Sequence, residues 1–153
     1  MKKSSVLLAG GIGMALFGSS IFADIVAPGD VEIENLSIAT SLSGEPGNPA
    51  EGKKTFANRK LGNCLACHAN ADLSEQLFHG EVGPALDGVA SRWTEEQLRT
   101  IVVNSKVVFT DQTVMPAFYS LEVGEDVRED LIGKTILSAQ EVEDIVAYLI
   151  TLK

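Results

Sequence analysis

The sequence predicts an all-α domain with about three main helices, and three local patterns support this. Capping boxes at residues 94–97 and 138–141 mark two helix starts, because in each the first side chain and the fourth satisfy exposed backbone N–H groups reciprocally. A third helix starts near Pro49, with Glu51 in the first turn, where the helix dipole favours an acid. The helix after Ser138 is the clearest of the three, because apolar side chains recur at helical spacing along it: Val142, Ile145, Val146 and Leu149.

The elements are expected in this order along the chain. Residues 24–48 hold two turn-forming clusters around an apolar segment of mixed period. They predict an N-terminal extension outside the core. This extension is either an arm that lies along the domain or along a partner, or a plain surface segment. The domain proper, 49–153, then begins with a helix over 49–59, a possible helical turn at 73–78, a helix over about 95–103, and a loop over 107–119 before the last helix.

The first helix contains a glycine at a costly position. Glycine inside a helix costs about 1 kcal/mol relative to alanine, so a retained one suggests that another helix crosses closely. Gly52 shares a face with Phe56. The final helix is the best candidate to pack on that face.

The pattern Cys64-Leu-Ala-Cys67-His68 predicts covalent attachment of one haem. Two thiols three positions apart can reach the vinyl groups along one porphyrin edge, and the imidazole of His68 would then ligate the iron. Zinc and a thioredoxin-like redox pair are the alternatives. Zinc lacks ligands at workable spacing, since the chain otherwise offers only His79 in this region, and a redox pair needs no His68 and normally follows a buried strand.

Two further residues are candidates for the haem site. A metal-bound histidine needs an acceptor for its other ring N–H, and the stiff Gly83-Pro84 pair could hold the carbonyl of Pro84 there. Met1 and Met14 fall in residues 1–23, which have the form of a signal peptide and would be removed. Met115 is therefore the leading candidate for the sixth iron ligand, and Pro116 would stiffen its loop. His79 is the alternative ligand, and a gap-filling role for Met115 also stays open.

The N-terminus has the three-part form of a secretory signal peptide over residues 1–23, with cleavage expected near Ala23. Its apolar run is too short and too rich in glycine for a membrane span. The full chain carries 12 basic and 21 acidic residues; without Lys2 and Lys3 the balance is 10 against 21, or −11. Nucleic acid and anionic membrane are therefore poor partners. Since haem c is attached outside the cytoplasm in bacteria, we expect a periplasmic protein.

As a set, these residues resemble the SoxX family, the monohaem class I cytochrome c subunits of sulfur-oxidising SoxAX complexes. The likeness begins near residues 41–47 and covers about two thirds of the chain. It rests on Gly-Asn-Cys-Leu-Ala-Cys-His at 62–68, Gly-Pro-Ala-Leu-Asp-Gly at 83–88, Arg92, Met-Pro at 115–116 and the final helical segment at 137–149.

The resemblance implies a class I cytochrome c fold, its helices wrapped around one covalent haem c, and a heterodimer with a SoxA-like haem protein. That complex couples thiosulfate oxidatively to a cysteine of a SoxYZ-like carrier, and the X-type subunit passes electrons to a downstream acceptor. The chain would then be the electron-transfer subunit of an enzyme complex and not catalytic alone. A free-standing cytochrome c electron carrier is the alternative, and an open-iron sensor or enzyme is disfavoured by Met115.

Overall fold

The computed structural model describes residues 24–124 and 126–153, and the predicted signal peptide lies outside the described residues. The described residues form three α-helices: α1, Pro49–Ala57; α2, Glu95–Val108; and α3, Ala139–Leu149. Short 3₁₀ turns and loops connect them, and the described part of the chain contains no extended strand. The all-α fold class with three main helices is confirmed.

Helices α1 and α3 cross at Gly52, as the sequence predicts. A Cβ atom at Gly52 would collide with the backbone carbonyl of Asp144 and lie 2.9 Å from Cβ of Tyr148. Beside this crossing the rings of Phe56 and Tyr148 meet edge to face, with centroids 5.6 Å apart. The close backbone approach explains why the helix keeps its glycine despite the cost in helix propensity.

Helix α2 runs five residues beyond its expected end at Val103, and it does so through a kink. Asn104 has non-helical backbone angles, φ −155° and ψ 92°, and its side-chain oxygen accepts a hydrogen bond from the N–H of Lys106 at 3.1 Å. An asparagine side chain can replace a helical partner in this way, so the helix resumes after the interruption. The following loop accordingly starts at Phe109 rather than at Val107.

The segment before α1 contributes to the core, contrary to the expectation that it stays outside. Ile38 and Leu42 are only 2% and 1% exposed, and both belong to the hydrophobic core. Backbone hydrogen bonds fix the segment in place, from Ile38 N–H to the carbonyl of Glu96 at 3.2 Å and from Val26 N–H to the carbonyl of Leu42 at 2.8 Å. The mixed apolar period hid this because only two of the segment's apolar side chains are fully buried.

A buried ion pair joins this segment to α2 and α3. The guanidinium of Arg99 donates to both carboxylate oxygens of Glu143, from Nε to Oε1 at 3.0 Å and from Nη2 to Oε2 at 3.0 Å. Arg99 Nη1 also donates to the carbonyl of Ile38 at 2.9 Å, and Glu143 accepts from the N–H of Leu42 at 2.8 Å. A buried charge pair persists only when its remaining hydrogen-bonding groups are satisfied, and here the extension satisfies them.

The possible helical turn at 73–78 is wrong in position and type. A 3₁₀ turn forms instead at Ala71–Leu73, where the side chain of Asn70 accepts from the N–H of Asp72 at 3.1 Å. Asparagine side chains favour such tight turns over a continuing helix. Of the helices described, none is both long and apolar enough to cross a bilayer.

Candidate haem-binding site

The two cysteines lie on one tight turn between α1 and the histidine. A 3₁₀ turn covers Cys64–Ala66, and the carbonyl of Cys64 accepts from the N–H groups of Cys67 at 3.1 Å and His68 at 2.9 Å. Asn63 enters the turn in the left-handed region, at φ 48°, which asparagine tolerates better than most residues. Both thiols are thereby presented from a single rigid loop, as haem attachment requires.

This turn packs against α1 and α3 near their crossing. Leu65 is buried, and a Cβ atom at Gly62 would lie 3.0 Å from the carbonyl of Thr55 and 3.1 Å from Sγ of Cys64. Burial raises the pKa of the Cys64 thiol to about 12. A raised thiol pKa disfavours the thiolate form that zinc binding and disulfide exchange need.

The imidazole of His68 is oriented by the carbonyl that the sequence indicated. Nδ1 of His68 lies 2.7 Å from the carbonyl oxygen of Pro84. A carbonyl can only accept, so Nδ1 carries the proton and donates, and the lone pair remains on Nε2. Nε2 is therefore the nitrogen available to a metal, with the tautomer fixed by its second partner.

Gly83 lies flat against the same ring. A Cβ atom at this position would collide with Cε1 of His68 and lie 2.7 Å from Nδ1. The Gly-Pro pair therefore has two uses: the glycine leaves room for the imidazole, and the proline presents its carbonyl. Only the second was expected from the sequence.

The loop that carries these groups is tied to the cysteine turn. Gly80 N–H donates to the carbonyl of Leu65 at 2.7 Å, and Gly83 N–H donates to the carbonyl of Cys67 at 2.8 Å. Farther along, the guanidinium of Arg92 donates to the carbonyls of Asp87 at 2.8 Å and Ala85 at 3.0 Å. Arg92 thus holds the far end of the loop, a role that its place in the sequence did not reveal.

A polar network, buried at Asn70 and Tyr148 and solvent-accessible at Asp72 and Lys53, links this region to α1 and α3, and sequence reasoning missed it. The Asn70 side-chain amide donates to the hydroxyl of Tyr148 at 2.9 Å, and that hydroxyl donates to Oδ2 of Asp72 at 2.8 Å. Lys53 Nζ completes the chain at 3.0 Å from Oδ2 of Asp72. Burial, followed by the Asp72 carboxylate, raises the pKa of Tyr148, while Tyr148 and Lys53 lower the pKa of Asp72.

Both ring nitrogens of His79 are occupied by backbone groups. Nδ1 accepts from the N–H of Asn70 at 3.3 Å, and Nε2 lies 3.1 Å from the carbonyl of Leu73, to which it must donate. No lone pair on this ring is left for iron while these contacts last. The geometry therefore disfavours His79 as the sixth ligand.

Met115 lies half-buried against the core, in a loop pinned on both sides. Its carbonyl accepts from Oγ of Ser105 at 3.0 Å, just beyond the kink in α2. After it, Phe118 N–H and Tyr119 N–H donate to the carbonyls of Val102 and Val103 at 3.3 and 3.2 Å. The loop is thus held by its backbone, and the hydrogen bonds of the described residues involve the carbonyl of Met115 rather than its thioether. Axial ligation by Met115 stays a prediction.

The residues present fit a covalent haem. One turn offers two thiols, and His68 offers an oriented lone pair. Most of the exposed large apolar side chains of the described residues follow the motif or lie within eight positions of Met115: Leu77, Phe78, Val82, Val107, Phe109, Val114 and Leu121. A porphyrin needs such apolar walls. In the part of the chain that the structure describes, no three His, Cys, Asp or Glu side chains converge as a zinc site would require.

Comparison with known proteins agrees with this geometry. The cytochrome c family model matches residues 49–153. The chain belongs to the cytochrome c family, and its domain is a class I electron-transfer cytochrome that holds one covalent haem c.

Within the family the likeness is to SoxX. The chain is 43% identical to a chain in the crystal structure of SoxXA from P. pantotrophus, with a TM-score of 0.76. The match covers 83% of this chain and 97% of that chain. The resemblance to SoxX seen in the sequence is confirmed. No curated protein matches the sequence.

Proposed function

We propose that this protein is the electron-transfer subunit of a SoxAX-type complex, which couples thiosulfate to a cysteine of a SoxYZ-like carrier. The observation that carries the proposal is the 43% identity to a SoxXA chain across nearly the whole of that chain. The geometry supports an electron-transfer role, because His68 is oriented to ligate iron through Nε2 and the backbone of the Met115 loop is fixed, so its thioether could supply the second axial ligand.

The coupling itself belongs to the partner in this proposal. Joining a carrier thiol to thiosulfate forms an S–S bond, releases the thiol proton and removes two electrons. This chain has only Cys64 and Cys67, and both are consumed as thioethers, so it keeps no thiol to carry a sulfur intermediate. Its net negative charge also repels the thiosulfate dianion.

When bound, the haem supplies a one-electron ferric/ferrous couple. Two electrons must therefore leave one at a time, through this chain and the SoxA-like subunit, to a downstream acceptor. The residues of this chain would hold and orient the haem and its ligands. Pro84 fixes the tautomer of His68, Gly83 leaves room for its ring, and Met115 would fill the iron's remaining position and exclude substrate.

The proposed compartment is the periplasm. Residues 1–23 have the form of a signal peptide, and covalent haem attachment follows export in bacteria. Expression of the full chain followed by fractionation and N-terminal sequencing should give a periplasmic haem protein that starts near Asp24. A haem protein that retains Lys2 and Lys3 in a membrane fraction would contradict the proposal.

Reconstitution tests the assignment of roles. The purified holoprotein should be reduced and reoxidised reversibly but should not conjugate thiosulfate to a SoxYZ-type carrier. Adding a purified SoxA-type haem protein should start conjugation, which mass spectrometry of the carrier would detect. Conjugation by this chain alone would contradict the proposal. Failure to bind the SoxA-type protein at micromolar concentration would favour the alternative, a free-standing electron carrier.

A further inference from the structure

Helix α2 is tied by hydrogen bonds to the loop of residues 113–119, which carries the proposed thioether ligand and which we call the Met loop. The carbonyl of Val102 accepts from the N–H of Phe118 at 3.3 Å. The next carbonyl of the helix, that of Val103, accepts from the N–H of Tyr119 at 3.2 Å. Both loop residues are buried, so the end of the Met loop is fixed on the backbone of the helix.

The other end of the Met loop is held by side chains of the same helix. Oγ of Ser105 donates to the carbonyl of Met115 at 3.0 Å, and Nζ of Lys106 donates to the carbonyl of Thr113 at 2.5 Å. Ser105 is fully buried, so its hydroxyl cannot exchange this partner for bulk water. The residue proposed to bind iron is therefore held at its own main chain.

The interruption of α2 at Asn104 explains why helix carbonyls are available to the loop. In an unbroken helix the carbonyls of Val102 and Val103 would accept from the N–H groups four residues later. At the interruption the N–H of Lys106 donates to Oδ1 of Asn104 at 3.1 Å, so a side chain takes the place of the helical acceptor. The carbonyl of Val102 is thereby released to the Met loop.

A second buried hydroxyl on α2 shows that the bond made by Ser105 is not the usual one for a helix. Oγ1 of Thr100, also fully buried, donates to the carbonyl of Glu96 at 2.9 Å, one turn back within the same helix. This is the common partner of a helical serine or threonine. Ser105 instead reaches a residue ten positions away, in the loop that carries the methionine.

We propose that Asn104 and Ser105 are positioning residues for the axial methionine. Asn104 interrupts α2 so that its carbonyls can bind the Met loop, and Ser105 holds the main chain of Met115. This inference rests on the proposed function, in which the thioether fills the iron's second axial position. A ligand on a pre-ordered loop loses little freedom on binding, so the two residues keep the iron closed to small molecules from solution.

The test measures how strongly imidazole binds to the ferric holoprotein. Imidazole binds only when the thioether has left, so its apparent affinity reports the fraction of molecules in which the Met loop is open. Ser105→Ala leaves the carbonyl of Met115 without its donor and should raise that affinity about 10-fold. Asn104→Ala removes the side-chain acceptor and favours an unbroken helix, and its effect should be of similar size.

Two control variants separate positioning from a general loss of stability. Thr100→Val removes a buried hydroxyl from the same helix without touching the Met loop, and Asn104→Asp keeps an acceptor for the N–H of Lys106. Both should leave the imidazole affinity within about 2-fold of the wild type. The ferric absorption band that reports a thioether–iron bond should weaken in Asn104→Ala and Ser105→Ala and persist in the controls. An equal effect of Thr100→Val would overturn the proposal, and an equal effect of Asn104→Asp would overturn the role of Asn104.

Met115→Ala separates the failure of this proposal from the failure of the proposed function. It removes the competing ligand itself and should raise the imidazole affinity more than either positioning variant. If it does so while Asn104→Ala and Ser105→Ala bind imidazole like the wild type, the positioning role is overturned and the closed iron stands. If Met115→Ala also binds like the wild type, the methionine is not the ligand, and the proposal and the closed iron fail together.

Discussion

The crossing of α1 and α3 at Gly52 makes a stability prediction that can be worked from the structure. Substituting Gly52→Ala adds a single Cβ atom, which meets the backbone carbonyl of Asp144 at a distance no real contact adopts and Tyr148 Cβ at 2.9 Å. The carbonyl can move only if α3 moves. The change therefore tests whether the two helices are rigidly packed.

Two opposing effects set the size of the change. Overpacking of a tight contact costs about 1–3 kcal/mol, and the backbone nature of this one favours the upper end. Alanine in place of a helical glycine returns about 1 kcal/mol. We expect Gly52→Ala to lower the free energy of unfolding by about 2 kcal/mol, and Gly52→Leu to lower it further.

Urea unfolding of the holoprotein, followed by far-ultraviolet circular dichroism, measures this difference. Gly29→Ala is the control, because a Cβ atom there would meet nothing within 4 Å; it should change the free energy of unfolding by less than about 0.5 kcal/mol. If Gly52→Ala were as stable as the wild type or more stable, the close crossing would be refuted.

Further variants test the buried ion pair of Arg99 and Glu143 and the hydrogen bond between Tyr148 and Asp72. Glu143→Ala leaves the guanidinium of Arg99 buried without its main partner and should cost about 3–5 kcal/mol in urea unfolding, whereas Glu95→Ala, which removes its exposed partner, should cost about 1 kcal/mol or less; equal costs would contradict the buried pair. Tyr148→Phe removes the hydrogen bond that chiefly lowers the pKa of Asp72, a contribution fully present above about pH 4 and lost as the pH falls through the lowered pKa. The stability difference between wild type and Tyr148→Phe should therefore be larger at pH 7 than at pH 3, and no change with pH would argue against an ionised Asp72 partner.

The parts of the site that the sequence predicted are those coded by neighbouring residues. The Cys-x-x-Cys-His turn, the Gly-Pro pair and the capping boxes each need only a few adjacent positions, so their chemistry is visible in the chain. The carbonyl of Pro84 lies where His68 needs it because the intervening loop is bonded back onto the motif at Gly80 and Gly83.

What the sequence did not predict depends on residues far apart in the chain. Arg99 and Glu143, 44 positions apart, look like ordinary solvated helix charges until the fold buries them together. Ile38 and Leu42 sit in a segment of mixed period, and only the packing of α2 and α3 shows that they enter the core. Helix α2 continues past Asn104 because its side chain supplies a local partner, which no periodicity reveals.

The central claim is that His68 and Met115 fill both axial positions of the haem iron, which makes this an electron-transfer haem. Its most direct test is carbon monoxide binding to the ferrous holoprotein. The wild type should show no spectral change with the gas, because a thioether already fills the position. Met115→Ala should bind it and should have a lower reduction potential, while His79→Ala should behave like the wild type. Ready binding of carbon monoxide by the wild type, or opening of the iron by His79→Ala instead of Met115→Ala, would contradict the account.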